Sequence, residues 1–476
     1  MLRLLRRSVC AFLCLFLAAA PRAKAAEPVQ ARDISGTSLI TAQEGFPYLA
    51  GLFDGNTVRA QTYGSPAWMT LEAPEGIGSL YLIFDEEYGE YTVTDNATEE
   101  TIVCGRSGFL HEFLDLEAYF GRAPVSVTVS FHSGPVRLNE LYVFTPGQVP
   151  TFVQRWEAPA EGCADLILFS THGDDEQLFF AGLLPYYAGE LGYRVQVVYL
   201  TDHHSLTTVR RHEMLDGLWT VGGRNYPVFG PFGDYYSQSL RDAYSMFQNA
   251  GVSEEELIGF VTEQLRRFQP LVAVGHDVEG EYGHGQHRLY ADLLMKASAV
   301  SGDPEQYPES AKAYGVWEVP KTYLHLYPEN PVVLDWDQPL ERFDGMTAYQ
   351  VTKHLGFPCH KSQVQDFAWY FSGCDTAAAI EQYSPCQYGL YRSTVGADQK
   401  KHDLFENLTA YSVPAEKSPD IETLPTETAE ASTAPPMLAQ SQEGQPETQD
   451  WHPTIALLLL PILAGAGIAR KRKAKK

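Results

Sequence analysis

Three near-continuous apolar runs, Ala164 to Ser170, Arg194 to Leu200 and Leu271 to Gly275, constrain this chain more than any other feature. Runs of this length without polar alternation suit strands buried on both faces, as in a parallel sheet. Amphipathic stretches around Phe179 to Ala188, Arg210 to Val221 and Glu254 to Phe268 lie between them. Strand alternating with helix predicts a doubly wound, mostly parallel α/β domain over residues 160–395.

Ahead of that domain the rhythm changes. Short alternating stretches such as Ser79 to Thr94 and Val125 to Gly134 are broken by Gly, Pro and Asp-Gly turns. Regularly spaced short strands predict an all-β sandwich over residues 27–150. The Leu52-Phe53-Asp54-Gly55 turn, the strand at Trp68 to Leu71 and the closing segment Glu140 to Gly147 resemble galactose-binding-like jelly rolls. A support role and a glycan-binding role both suit such a module, with Trp68, Tyr88 and Tyr91 as candidate stacking faces for sugar rings and core packing as the expected role of at least some of them.

The ends of the chain read differently again. Arg3, Arg6 and Arg7 precede an apolar run from Val9 to Ala20, and Ala23-Lys24-Ala25 has the small-x-small form of a cleavage signal. Residues 1–25 are therefore expected to be a secretory signal peptide. Residues 412–450 are rich in Pro, Thr, Ser, Glu and Gln, a composition expected to form a disordered stalk. Residues 451–476 run from an apolar stretch into Arg470-Lys471-Arg472-Lys473, as in a membrane anchor with its basic end inside or a cell-wall sorting tail. These features predict a protein at the outer face of the cell, held to membrane or wall by its C-terminus.

Charge narrows the partners. Taking five basic residues of the leader and six of the tail from the 35 present leaves 24 against 60 acidic ones. Such a body repels polyanions, so nucleic acid is not an expected partner and a neutral or cationic glycan suits better. Beyond Cys10 and Cys14 of the leader, Cys104, Cys163, Cys359, Cys374 and Cys386 form no C-x-x-C pair, which argues against a thiolate metal site. Cys374 and Cys386 are close enough in sequence for a local disulfide.

Chemistry concentrates in two segments just past strand ends. His172-Gly173-Asp174-Asp175-Glu176 follows the first apolar run, and Tyr282-Gly283-His284-Gly285-Gln286-His287 follows the third. Imidazole and carboxylate donors from two segments can fill three positions around a zinc ion and leave one for water, whose pKa falls to roughly 7. Together these residues resemble the GlcNAc de-N-acetylase family, PIG-L or LmbE-like, whose hallmarks are Ala-His-Pro-Asp-Asp-Glu and Tyr-Gly-His-x-x-His. The likeness extends to His360-Lys361-Ser362-Gln363, similar to that family's late His-x-Ser-Gln segment.

The resemblance implies a zinc-dependent N-deacetylase acting on an N-acetylated amino sugar. By position it implies His172, Asp175 and His287 as zinc ligands and Asp174 as general base. His284 would assist the developing charge and Tyr282 would stand by the substrate carbonyl. Gly173 replaces the usual proline and is expected to loosen the turn; Gln286 replaces an aspartate and is expected to weaken support for the metal. His203 and His204 read as solvated loop residues or as a rim of the site, and Glu279 and Glu281 are expected to bind nothing. Arg210 and Arg211 read equally as substrate contacts or as a surface ion pair with Glu213, and His360 as a group behind the metal. A carbohydrate-binding protein with an inactive domain and a zinc amidase acting on another amide are the alternative readings.

Overall fold

The structure, a computed structural model, describes residues 29–42, 49–57, 59–202 and 209–412. The expected leader, most of the stalk, the tail, His203 and His204 lie outside the described residues. Among the described residues no helix is long and apolar enough to cross a membrane.

The first nine strands are β1 (Leu39–Ala42), β2 (Gln61–Tyr63), β3 (Ala67–Glu72), β4 (Ser79–Phe84), β5 (Tyr91–Asp95), β6 (Thr101–Cys104), β7 (His111–Asp115), β8 (Ser126–Phe131) and β9 (Val136–Phe144). They form two antiparallel sheets, β1-β3-β8-β5-β6 and β2-β9-β4-β7. In β3, β5 and β8 buried residues alternate with more exposed ones, the period-2 signature of a sheet with one wet face. Their inward residues Met69, Leu71, Val93, Val127 and Val129 share one core with Leu80, Leu82, Leu138 and Leu141 of the other sheet. The pair is a β-sandwich. Unlike its neighbours β4 is buried throughout, because Tyr81 and Ile83 on its outer face are covered in turn, with Phe144 and Val153.

Six further strands follow: β10 (Leu166–Ser170), β11 (Val195–Tyr199), β12 (Val272–Gly275), β13 (Lys321–His325), β14 (Pro331–Val333) and β15 (Gln387–Ser393). Their order is β11-β10-β12-β13-β15-β14. The first four are parallel, and β15 and β14 add an antiparallel edge. Eight α-helices are described: α1 (Leu116–Phe120), α2 (Val209–Thr220), α3 (Leu240–Asn249), α4 (Glu254–Phe268), α5 (Gly285–Val300), α6 (Pro308–Tyr314), α7 (Ala348–Val351) and α8 (Val364–Phe371).

Both faces of this sheet are covered. Leu166 and Leu168 of β10 join a core with Met214 and Leu218 of α2, Trp336 and Tyr370. Ile167 and Phe169 join another with Leu257, Val261 and Leu265 of α4 and Leu289 and Leu293 of α5. Helix α4 shows why such segments start and stop where they do. Ser253 caps it and forms a reciprocal capping box with Glu256, three acidic residues fill its first turn, and Arg266 and Arg267 its last.

Two expectations need correction here. The stretch Phe179 to Ala188 is not a regular helix; it makes turns and a π-helix over Pro185–Glu190. Gly182 lies at φ +91° with its Cα against the Trp336 ring, a left-handed turn that interrupts α-helical propagation. All five described cysteines, Cys374 and Cys386 included, are free thiols.

The candidate sugar-stacking residues divide between the core and half-buried positions. Tyr91 is 1% exposed in the sandwich core, its hydroxyl donating to Glu112. Tyr88 is half-buried, with its hydroxyl donating to Gly134 O, and Trp68 is half-buried on β3. Tyr91 is thus closed to any ligand.

Candidate metal centre

The two motifs meet at the carboxyl ends of the parallel strands, where open α/β sheets bind ligands. His172 to Glu176 forms the turn after β10, and Glu281 to His287 leads from β12 into the first turn of α5. His172 Nδ1 lies 3.1 Å from Asp175 Oδ2 and 3.1 Å from His287 Nε2; the third side of this triangle, His287 Nε2 to Asp175 Oδ2, is 3.2 Å. All three residues are buried.

Their other contacts aim the lone pairs inward. His172 Nε2 faces the Gln286 carbonyl oxygen at 3.1 Å and Asp234 at 3.4 Å, acceptors that place its proton there and leave Nδ1 bare. His287 Nδ1 faces Glu281 Oε2 at 2.8 Å, which leaves Nε2 bare. Burial opposes a charge on these rings, but Asp175 outweighs it, with Asp234 acting on His172 and Glu281 on His287, so both are raised; a metal ion would displace the second proton from His172 Nδ1 and His287 Nε2. Burial likewise works against Asp175, and the two imidazoles hold its carboxyl well below the usual range. A proton shared with Asp175, or a metal ion in its place, satisfies atoms that converge in this way.

Wider metal-capable sets within the described residues are His172, His284 and His287, and Asp175, His276 and His287. Hydrogen bonding separates them. His276 Nε2 accepts the Thr171 N–H at 3.0 Å, and His284 Nδ1 caps α5 by accepting the Gln286 N–H at 3.3 Å. His172, Asp175 and His287 carry the donor atoms left to converge.

Asp174 points elsewhere, as successive side chains in a turn do. It lines a cavity of about 310 Å³ with His172, Arg210, Asp234, Tyr236, Tyr282, His284, Gln363 and Phe367. Burial and the adjacent Asp175 charge raise its carboxyl, against Arg210, whose Nη2 stands 3.7 Å away. Burial and the neighbouring His172 and His287 push His284 down, so it is a neutral ring with its proton on Nε2. Tyr282 adopts φ +45°, a strained backbone for a tyrosine, which turns its ring to within 5.5 Å of His284 and 5.4 Å of His287.

Residues 167–298 match the family model of GlcNAc-PI de-N-acetylase, PIG-L. That span runs from β10 to α5 and contains both halves of the site. The 1D-myo-inositol 2-acetamido-2-deoxy-alpha-D-glucopyranoside deacetylase of Streptomyces scabiei is 23% identical over 301 residues, 52% of this chain and 90% of that protein. A deacetylase of the same description from Catenulispora acidiphila is 25% identical over 218 residues, 40% of this chain and 65% of its own. Among solved structures, N,N'-diacetylchitobiose deacetylase from Pyrococcus horikoshii aligns with a TM-score of 0.32 at 17% identity, over 48% of this chain and 83% of that one.

Several expectations change against this geometry. Gly173 does not leave a loose turn: a Cβ there would lie 2.4 Å from Met214 Cγ and Sδ, so the missing side chain is the space Met214 of α2 occupies. Gln286 is fully buried; besides facing His172 it accepts the Tyr235 N–H and donates to Gly233 O. Arg210 does not pair with Glu213; it donates to Gly173 O, while Glu213 accepts from the backbone and hydroxyl of Ser362. Arg211 pairs with Asp202 and reaches Glu87 of the sandwich. His360 lies 2.9 Å from Glu176 Oε1 in a buried pair.

Glu281 is the largest departure, for it is completely buried and meets His276, His287 and His325, whereas Glu279 is exposed beside Arg288. Sequence reasoning also passed over His276, His325, Asp234, Tyr236 and Phe367. The two histidines had a readable signal, since His276 directly follows β12 and His325 ends β13. Asp234 and Tyr236 sit in a loop that no periodicity marks.

Proposed function

We propose that the protein is a zinc-dependent N-deacetylase that removes the acetyl group from an N-acetylated amino sugar of the GlcNAc type. The observation that carries this reading is the donor triangle with Asp174 beside it on the cavity wall. Tetrahedral zinc with ligands at about 2.0–2.2 Å needs donor atoms roughly 3.3 Å apart. The triangle's 3.1–3.2 Å sides fit that need, and two imidazoles with one carboxylate are a hydrolytic rather than a purely structural ligand set. The PIG-L match and the deacetylase names of the relatives support the amino-sugar substrate.

When bound, zinc supplies Lewis-acid polarisation and acidifies water. The chain's own groups do the rest. Asp174, raised by burial, accepts the proton of the attacking water and returns it to the departing amine. Neutral His284 donates from Nε2, and the Tyr282 hydroxyl donates beside it, to the oxygen on which negative charge grows. Tyr236 and Phe367 give the cavity apolar faces suited to a sugar ring.

The leader and tail patterns support placing this chemistry at the outer face of the cell, tethered by the C-terminus to membrane or wall. Acetate release from a panel of N-acetylglucosamine conjugates by the 27–411 fragment tests the activity. Release with stoichiometric zinc is expected; zinc-loaded protein that hydrolyses none of the panel contradicts the proposal.

A further inference from the structure

Glu281 has no solvent exposure, yet its carboxylate meets four donors. Oε1 accepts from His325 Nδ1 at 2.6 Å and from the Asp277 N–H at 3.2 Å. Oε2 faces His276 Nδ1 at 2.9 Å and His287 Nδ1 at 2.8 Å. A carboxylate has about four lone-pair sites. All are taken, so no proton of its own remains to be placed there.

The surrounding rings are fixed from outside. His276 accepts the Thr171 N–H at Nε2, so its proton is on Nδ1 and points at Glu281. His325 is held between Ser384 O, 2.9 Å from its Nε2, and Glu281 Oε1, 2.6 Å from its Nδ1. The hydrogen bonds from His276, His287 and His325 offset the cost of burying this carboxylate.

Packing gives no reason for such a group. An ion taken into the interior costs several kcal/mol before its partners are counted, and an apolar side chain of like volume commonly serves stability as well. The backbone is also bent to deliver it: Gly280, Tyr282 and Gly283 all have positive φ. What the carboxylate achieves is local. It accepts the Nδ1 proton of His287 and so leaves Nε2 bare toward His172 and Asp175.

We propose that Glu281, held by His276 and His325, is the positioning residue that sets the tautomer of His287 and thereby the metal affinity of the site. The inference rests on the reading of His172, Asp175 and His287 as ligands. Asn or Gln in its place presents two N–H donors and one oxygen, so a rotated amide favours the wrong His287 tautomer.

The test uses the full-length protein and zinc ion itself. Zinc affinity is measured by competition with a chromogenic chelator, the His287 tautomer by nitrogen NMR of the metal-free protein at alkaline pH, where the ring carries one proton, and folding by circular dichroism. Glu281→Gln should bind zinc about 10- to 100-fold more weakly with its fold retained. His287 should lose its single Nδ1–H tautomer. His325→Gln should shift affinity in the same direction by less, and Asp277→Asn should leave it unchanged. Wild-type affinity and tautomer in Glu281→Gln would overturn the proposal; if that variant does not fold, unchanged affinity in His325→Gln overturns it instead. A wild-type protein that binds no zinc would sink the ligand reading itself, a result distinct from either.

Discussion

His111 on β7 of the sandwich and His212 on α2 meet ring nitrogen to ring nitrogen at 2.8 Å. Asn139 donates to His212 Nε2, so the His212 proton is on Nδ1 and points to His111 Nε2; His111 Nδ1 then donates to the Tyr81 hydroxyl at 2.6 Å. Both rings are buried and neutral in this chain of bonds. Leu110 packs with Leu215 and Tyr226 beside them. The sandwich is thus seated on the helix that brings Arg210 and Met214 to the site.

A pH dependence follows, and its sign is fixed. Burial is the main cause lowering both histidines, His212 from 6.5 to about 4, with His212 adding to the effect on His111 and Arg211 opposing Asp85 at His212. Between pH 6.5 and about 4 the unfolded chain takes up a proton that folded His212 refuses. Stability from this group is complete above pH 6.5 and is lost as pH falls, by up to ~1.4 kcal/mol per pH unit. Thermal unfolding across this range should show a steeper decline in wild type than in His212→Asn. Parallel curves for the two proteins would refute the assignment.

Gly173→Pro, which restores the residue the PIG-L motif usually carries, should harm this chain. The added ring collides with Met214, at about 1–3 kcal/mol for overpacking of a buried site. Met214→Ala should recover much of that loss in the double variant, whereas alone it costs about 2–4 kcal/mol. Denaturant unfolding of the four proteins reads the coupling, and additive losses would show that the two positions do not share space.

Arg210→Met should move the acid limb of the kcat/KM profile upward. The Arg210 guanidinium, 3.7 Å away, is the strongest influence lowering Asp174. Without it the carboxyl holds its proton to higher pH, and the base works only when ionised. An acid limb at the wild-type position would mean that Arg210 does not act on Asp174.

How far the sequence could be read depended on periodicity. The apolar runs at Leu166, Val195 and Val272 announced buried parallel strands, and the alternation around Val127 announced a sheet with one wet face. Those patterns repeat, so they survive without tertiary context. The antiparallel edge of β15 and β14 and the π-helix at Pro185–Glu190 carry no such repeat; each depends on partners distant in sequence, such as Trp336 against Gly182. At the site, motif spacing brought His172, Asp175 and His287 to attention. It gave no hint that Glu281 is buried, because only the left-handed turn at Gly280 to Gly283 carries that side chain inward. It misjudged Gly173 for a similar reason, since the residue that needs the space lies on α2.

The central claim is a division of labour between adjacent aspartates, Asp175 on the metal and Asp174 on the proton. The most direct measurement is zinc content together with single-turnover acetate release for Asp174→Asn and His172→Ala. Asp174→Asn should retain stoichiometric zinc while the hydrolytic step slows about 10²- to 10⁴-fold, and His172→Ala should lose zinc and activity together. Loss of zinc from Asp174→Asn, or near-normal turnover by it, would contradict the account.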